Sequence, residues 1–186
     1  MDTMRTARHI AVAATLAVTG LTQAAPAAAE LAAPAPQEVK DQTLASVNAA
    51  RAQYGARPLT WNETLYPSAD EHARACRFQH SNPQGAYGEN MYAASGSPDT
   101  KTAIANAFNA WMAEASQYNY NRPGFSASTG HFTQVVWKST TQITLAVARC
   151  AAGTIFPSMA STYVVARFTP PGNLQGQFPQ NVGRHV

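Results

Sequence analysis

Two of the chain's five histidines stand beside residues able to do chemistry with them. His80 opens HSNPQGAYGEN, a polar, glycine-rich stretch that runs to Glu89 and Asn90. His131 follows a glycine in GHFTQVVWKST, residues 130–140, and Glu114 lies three residues beyond Trp111 in AWMAE. Imidazoles hold a zinc-like divalent ion through nitrogen, while carboxylates beside them orient bound water or neutralise charge. No pair has the i, i+4 spacing of a helical metal motif, so spacing alone does not unite the four. One histidine in a loop, one at a core edge and two solvated carboxylates fit the same residues. Nucleophilic catalysis would need a serine or cysteine aimed at an imidazole. Ser81 adjoins His80, yet sequence neighbours seldom point at each other, and no G-x-S-x-G elbow occurs.

Positioning these groups falls to three helices and a block of strands. Val39, Leu44, Val47 and Ala50 predict a helix over 38–54, with Gly55 as its stop. A second helix runs to about Cys76, beginning either near Asn62 with a kink or at Pro67. The third, 97–116, has Ser97 as N-cap, Pro98 at the first helical position, and Ile104, Ala107, Phe108 and Trp111 on one face. Val, Ile, Thr and aromatic residues then dominate 131–138, 141–150 and 162–169, which read as strands, the last closed by Pro170-Pro171-Gly172. Helices ahead of a strand block make an α+β chain whose helices cover the sheet. His131 is thereby expected at the mouth of the first of these strands.

Composition narrows the function classes. Arg5 and Arg8, an apolar run from Ile10 to Leu21, and small residues ending at Ala27-Ala28-Ala29 make 1–29 a secretory signal peptide, its apolar run too short for a membrane span. An Ala/Pro-rich lead-in, 30–37, precedes a single domain over 38–186, expected to be secreted and extracellular. A formal charge of +3 with no basic run argues against nucleic acid and leans towards acidic cell-surface or membrane components. Cys76 and Cys150 are either one disulfide or two buried thiols; export and the even count favour the bridge. Asn62-Glu63-Thr64 is a glycosylation sequon in hosts with that machinery.

HS at 80–81, GEN at 88–90, GHFTQVVWKST and YVVARFTPPGN (163–173), together with NAARAQYGARPLTWNETL (48–65), resemble the CAP superfamily of cysteine-rich secretory, antigen 5 and pathogenesis-related 1 proteins. The likeness spans nearly all of the mature chain. It implies a three-layer α-β-α sandwich with a central antiparallel sheet and an open cleft. The family's cleft carries two histidines and two acidic residues, matched here by His80, His131, Glu89 and, by its position after Trp111, Glu114. With only two strong ligands on offer, the implied metal is a weakly held, exchangeable zinc-like ion and no cofactor is obligatory. No catalytic residue is assigned.

Fungal-type secreted members typically carry cysteines where this chain has Leu145 and Ala166, absent together as if one bridge were replaced by an apolar pair. The bridge left would be Cys76–Cys150. In the sterol-binding members an aromatic loop before the second histidine is linked to sterol binding, and QYNYNRPGFSAST (117–129) corresponds to it, with Tyr118, Tyr120 and Phe125 as lipid-contacting side chains. The resemblance therefore implies a sterol or other small lipid as ligand. A defence- or virulence-type interaction effector and a metal-dependent hydrolase are the alternatives.

Overall fold

The computed structural model describes residues 35–82 and 84–186. The expected signal peptide and most of the lead-in lie outside them. In chain order the elements are α1 (Gln37–Ala52), β1 (Thr60–Trp61), α2 (Tyr66–Arg74), β2 (Gly88–Ser95), α3 (Thr100–Ala113), a 3₁₀ turn (Glu114–Gln117), α4 (Gly130–Val135), β3 (Gln142–Cys150), β4 (Ser161–Thr169) and α5 (Phe178–Asn181).

The strands form one sheet in the order β1-β3-β4-β2. β2, β4 and β3 pair antiparallel, as expected, but the two-residue β1 lies parallel to β3 at the far edge. Both faces of β3 and β4 are buried, so alternate side chains belong to two different cores. Ile143, Leu145, Val164, Ala166 and Phe168 pack with Val47 of α1, Trp111 of α3 and Phe132 of α4. Ala146, Ala148, Tyr163 and Val165 pack with Tyr66, Ala69 and Ala73 of α2. The result is the expected α-β-α sandwich, with α1, α3 and α4 on one side and α2 on the other.

Cys76 and Cys150 are bonded, with Cα atoms 5.6 Å apart, tying the chain just after α2 to the last residue of β3. Leu145 and Ala166 are direct cross-strand partners, fully buried in the larger core, as a pair replacing a bridge would be.

Three expectations need correction. The N-cap of α3 is Asp99, whose carboxylate accepts the Thr102 N–H at 2.9 Å, and Ser97 lies outside the helix. Residues 88–90, the end of the polar, glycine-rich stretch expected as loop, instead open the outer strand β2, which runs on to Ser95. Residues 131–138 are no strand: 130–135 are α4, and Val136 and Trp137 leave it in a turn.

The cause of this last error is non-local. A six-residue helix is far below the length that stands alone in water, and its N-cap, Thr129, makes no side-chain cap. Its capping groups come from elsewhere in the chain. At the N-terminus one Glu114 oxygen accepts both the His131 and Phe132 N–H groups, at 3.0 and 3.1 Å. At the C-terminus the fully buried Arg51 of α1 donates to Val135 O at 2.8 Å and Trp137 O at 2.9 Å, and reaches Thr140 O and Arg57 O besides. An anion at one end and a cation at the other also suit the helix dipole. Tertiary contacts thus override the β-propensity of Val135, Val136 and Trp137.

Candidate functional site: a two-histidine cleft

β2 is an outer strand, and its successive side chains point into opposite layers. Glu89 turns towards α2 and Asn90 towards α4, where its Nδ2 donates to His131 O at 3.0 Å. The chain's two histidine-bearing segments meet beside this strand. His80, Glu89, Asn90, Phe125, Gly130 and His131 line one cleft of about 300 Å³. The four residues singled out in the sequence do come together, as two histidine–carboxylate pairs.

In the first pair, His80 Nδ1 lies 3.1 Å from Glu89 Oε1. That same oxygen accepts the Ser81 N–H at 2.9 Å. Glu89 Oε2 accepts the Ser81 hydroxyl at 2.8 Å and Arg167 Nε at 3.3 Å. Glu89 and Arg167 are register partners on β2 and β4, and both side chains are 3% exposed. The Arg167 guanidinium also bonds the Ser68 hydroxyl and lies 4.3 Å from the Tyr87 ring centre. Burial, the largest single influence, would raise the Glu89 pKa. Hydrogen bonds from His80 and from the Ser81 amide and hydroxyl, with the nearby His72, outweigh it and bring the carboxyl down to about 2.

In the second pair, His131 Nδ1 sits 2.7 Å from Glu114 Oε1, while Glu114 Oε2 caps α4. The imidazole stacks on Trp111, ring centres 6.2 Å apart, and the Trp111 indole N–H donates to Met91 O of β2 at 3.1 Å. The His131 ring is therefore held by two groups, Glu114 at Nδ1 and Trp111 across its face.

Both carboxylates engage Nδ1, so in the neutral rings the Nε2 lone pairs are left for the cleft. This is the carboxylate–histidine arrangement that orients metal-binding imidazoles, and both rings line the one cleft. Glu89 and Glu114 are not spare ligands: every carboxylate oxygen already has a protein partner. Among the described residues, no group of three or more His, Cys, Asp and Glu side chains is placed to hold a metal. Ser81 Oγ is bonded to Glu89 and lies 2.9 Å from the Tyr87 hydroxyl, and neither histidine hydrogen-bonds a serine, threonine or cysteine among the described residues.

The aromatic loop is split by the structure. Tyr118 is buried against Phe132, ring centres 5.8 Å apart. Tyr120 leans on the C-terminal segment, donating its hydroxyl to Gly183 O at 2.9 Å. Phe125, 60% exposed, walls the histidine cleft and packs over Gly130, where an added Cβ would come within 2.9 Å of its ring. Tyr118, Tyr120 and Pro123 instead cover a second cavity of about 240 Å³ with Val182 and Arg184. Sequence reasoning missed Arg167, Tyr87, Asn90 and Arg51. The cue available was a lone arginine within the apolar strand YVVARF.

The α-β-α sandwich thus holds two carboxylate-oriented histidines in one cleft beside its outer strand. The chain belongs to the CAP, or cysteine-rich secretory protein, family, whose pattern matches residues 44–168. The fruiting body protein SC7 of Schizophyllum commune is 39% identical, over 84% of this chain and 77% of its own. The pathogenesis-related protein PR-1 of Medicago truncatula is 37% identical, over 75% of this chain and 78% of its own. A solved structure, NaASP2 with Zn²⁺, shares the fold with a TM-score of 0.62 at 23% identity, covering 80% of this chain and 88% of that one. Among the described residues no helix is long and apolar enough to cross a membrane.

Proposed function

We propose that this is an exported, extracellular carrier of sterols or other small lipids, which enter beneath the aromatic loop 117–129. In addition, His80 and His131 hold a divalent ion weakly in the neighbouring cleft. The observation that carries the lipid reading is the loop itself. It presents the exposed Phe125 on one side and, on the other, covers the Tyr118–Tyr120–Pro123–Val182 cavity. The Tyr118 and Tyr120 rings, Pro123 and Val182 form the apolar part of a wall that Arg184 and Gly183 leave partly polar, and apolar ligand surface buried against that part contributes roughly 25 cal/mol per Å². Among the described residues neither imidazole hydrogen-bonds a serine, threonine or cysteine, which favours binding over acyl-transfer hydrolysis. The metal reading rests on two imidazoles that line one cleft with Nδ1 engaged by a carboxylate, leaving Nε2 without a protein partner among the described residues, and a bound ion there would supply Lewis acidity to whatever reaches it.

A fluorescent sterol titrated into purified protein should bind saturably. Tyr120→Ser, which deletes a cavity wall, should weaken binding, while His131→Ala should leave it nearly intact. Binding that is lost in His131→Ala and kept in Tyr120→Ser would overturn the lipid assignment. Zinc titration should find one weak site, abolished in a His80→Ala, His131→Ala double variant that stays folded. Unchanged zinc binding there would place the ligands elsewhere.

A further inference from the structure

The cavity under the loop has a neighbour. On the other side of residues 184–185 lies an open depression of about 440 Å³ bounded by Tyr54, Ala115 and His185. Tyr120 and Arg184 line both spaces, so these two side chains are the partition between them. They are also joined to each other. The Arg184 guanidinium lies 4.7 Å from the Tyr120 ring centre, and the Tyr120 hydroxyl donates to the neighbouring Gly183 O at 2.9 Å.

The segment behind Arg184 is seated on the body of the protein. Val186 N–H donates to Gln53 O at 2.9 Å, and the His185 ring meets Tyr54 edge-on at 5.4 Å. The loop is held differently. Among the described residues no backbone–backbone hydrogen bond of 119–128 reaches beyond Thr129, so its attachment there rests on side chains, the Tyr120 hydroxyl foremost. Segments with so few backbone ties open at low free energy.

We propose that Tyr120 and Arg184 form a latch between loop 117–129 and the 182–186 segment, and that its release joins the two cavities into the lipid site. This rests on the lipid-carrier reading. At about 240 Å³ the cavity under the loop is smaller than the roughly 300–1,000 Å³ of small-molecule sites, and the 440 Å³ depression beside it, though large enough, is open to solvent, so joining the two gives a ligand both room and cover. A ligand that binds only the open form has its apparent affinity scaled by the open fraction. Tyr120 thus has two opposed effects, its ring stabilising the bound lipid and its hydroxyl holding the site shut.

The two effects separate in Tyr120→Phe, which keeps the ring and removes the hydrogen bond. Stopped-flow uptake and equilibrium titration of the same fluorescent sterol would compare the wild-type protein with Tyr120→Phe, Arg184→Ala and Tyr120→Ser. Tyr120→Phe should take up sterol faster and bind it about fivefold more tightly, the weight of one ordinary hydrogen bond. Arg184→Ala should change both in the same direction, and Tyr120→Ser should bind more weakly. Wild-type binding with Tyr120→Phe and Arg184→Ala unchanged in rate and affinity would overturn the latch and leave the carrier reading standing. Binding by Tyr120→Phe alone would support a latch tight enough to keep the wild-type site closed. Binding by none of the four would overturn the carrier reading and the latch with it.

Discussion

Replacing Arg51 by methionine should destabilise the fold by about 3 kcal/mol. Methionine fills most of the aliphatic stem's volume, so the change isolates the guanidinium. Of the four carbonyls that Arg51 serves, Arg57 lies in one stretch of chain and Val135, Trp137 and Thr140 in another, and the bonds to the last three are buried. At about 2 kcal/mol for a charged donor, losing those three bonds costs about 6 kcal/mol. Against this stands the cost of burying the cation, which pulls its pKa down to about 10; relief of that desolvation returns about 3 kcal/mol. For a domain of this size the net loss corresponds to a fall in Tm of roughly 6–12 °C. Differential scanning calorimetry would measure it, with urea unfolding as a second estimate. Because Arg51 caps the helix that carries His131, the His131 ring resonances should shift in the folded variant, whereas those of His80 should not. A Tm within about 2 °C of wild type would show that the carbonyls find water or other donors, and that α4 does not depend on this side chain.

Acid should act through Glu89. Its folded pKa of about 2 lies below the usual carboxylate value of about 4.3, so its contribution is complete above about pH 5 and is lost as pH falls towards 2. The loss amounts to about 3 kcal/mol at most, and in Glu89→Gln the fall in stability over that window should flatten; an unchanged slope would assign acid sensitivity elsewhere. The Leu145–Ala166 pair should accept a second bridge. A Leu145→Cys, Ala166→Cys variant purified under oxidising conditions should show no free thiol after denaturation, with about 3 kcal/mol of chain-entropy gain offset in part by the lost leucine packing. Two titratable thiols would mean that the cross-strand geometry is unsuitable.

What was legible in the sequence follows what is local. β3 and β4 agree with the alternating, β-branched runs to within a residue, because two buried faces and flanking turns leave such runs few alternatives. The helix α3 was legible from its apolar face, and only its cap was misplaced, by two residues. The segment 130–135 failed because both of its capping side chains lie far off in the chain, Glu114 and Arg51, where no window of neighbouring residues can reveal them. β2 failed for a related reason. Gly88, Glu89 and Asn90 are poor strand formers, and the strand holds by pairing with β4 along its whole length. The histidines and carboxylates were legible through the family resemblance, since sequence spacing alone did not bring them together. Arg167 stayed hidden because its significance depends on cross-strand register.

The two pairs in the cleft bear on how any variant of this site is interpreted. Each carboxylate does structural work together with orienting work: Glu89 neutralises a buried arginine and anchors the 80–81 turn, and Glu114 caps α4. Removing Glu89 leaves Arg167 buried without its ion partner, a change that commonly costs 3–5 kcal/mol, and removing Glu114 leaves two helix N–H groups and one imidazole unsatisfied. A loss of metal or ligand binding in either variant would therefore follow from a displaced imidazole as readily as from a missing ligand. The imidazoles carry a smaller burden, one hydrogen bond each to a carboxylate. His80 is 58% exposed, and among the described residues neither histidine's Nε2 has a protein partner. Their replacement removes cleft chemistry while leaving the scaffold's hydrogen bonds nearly whole, so it is the histidine variants that report what the cleft binds.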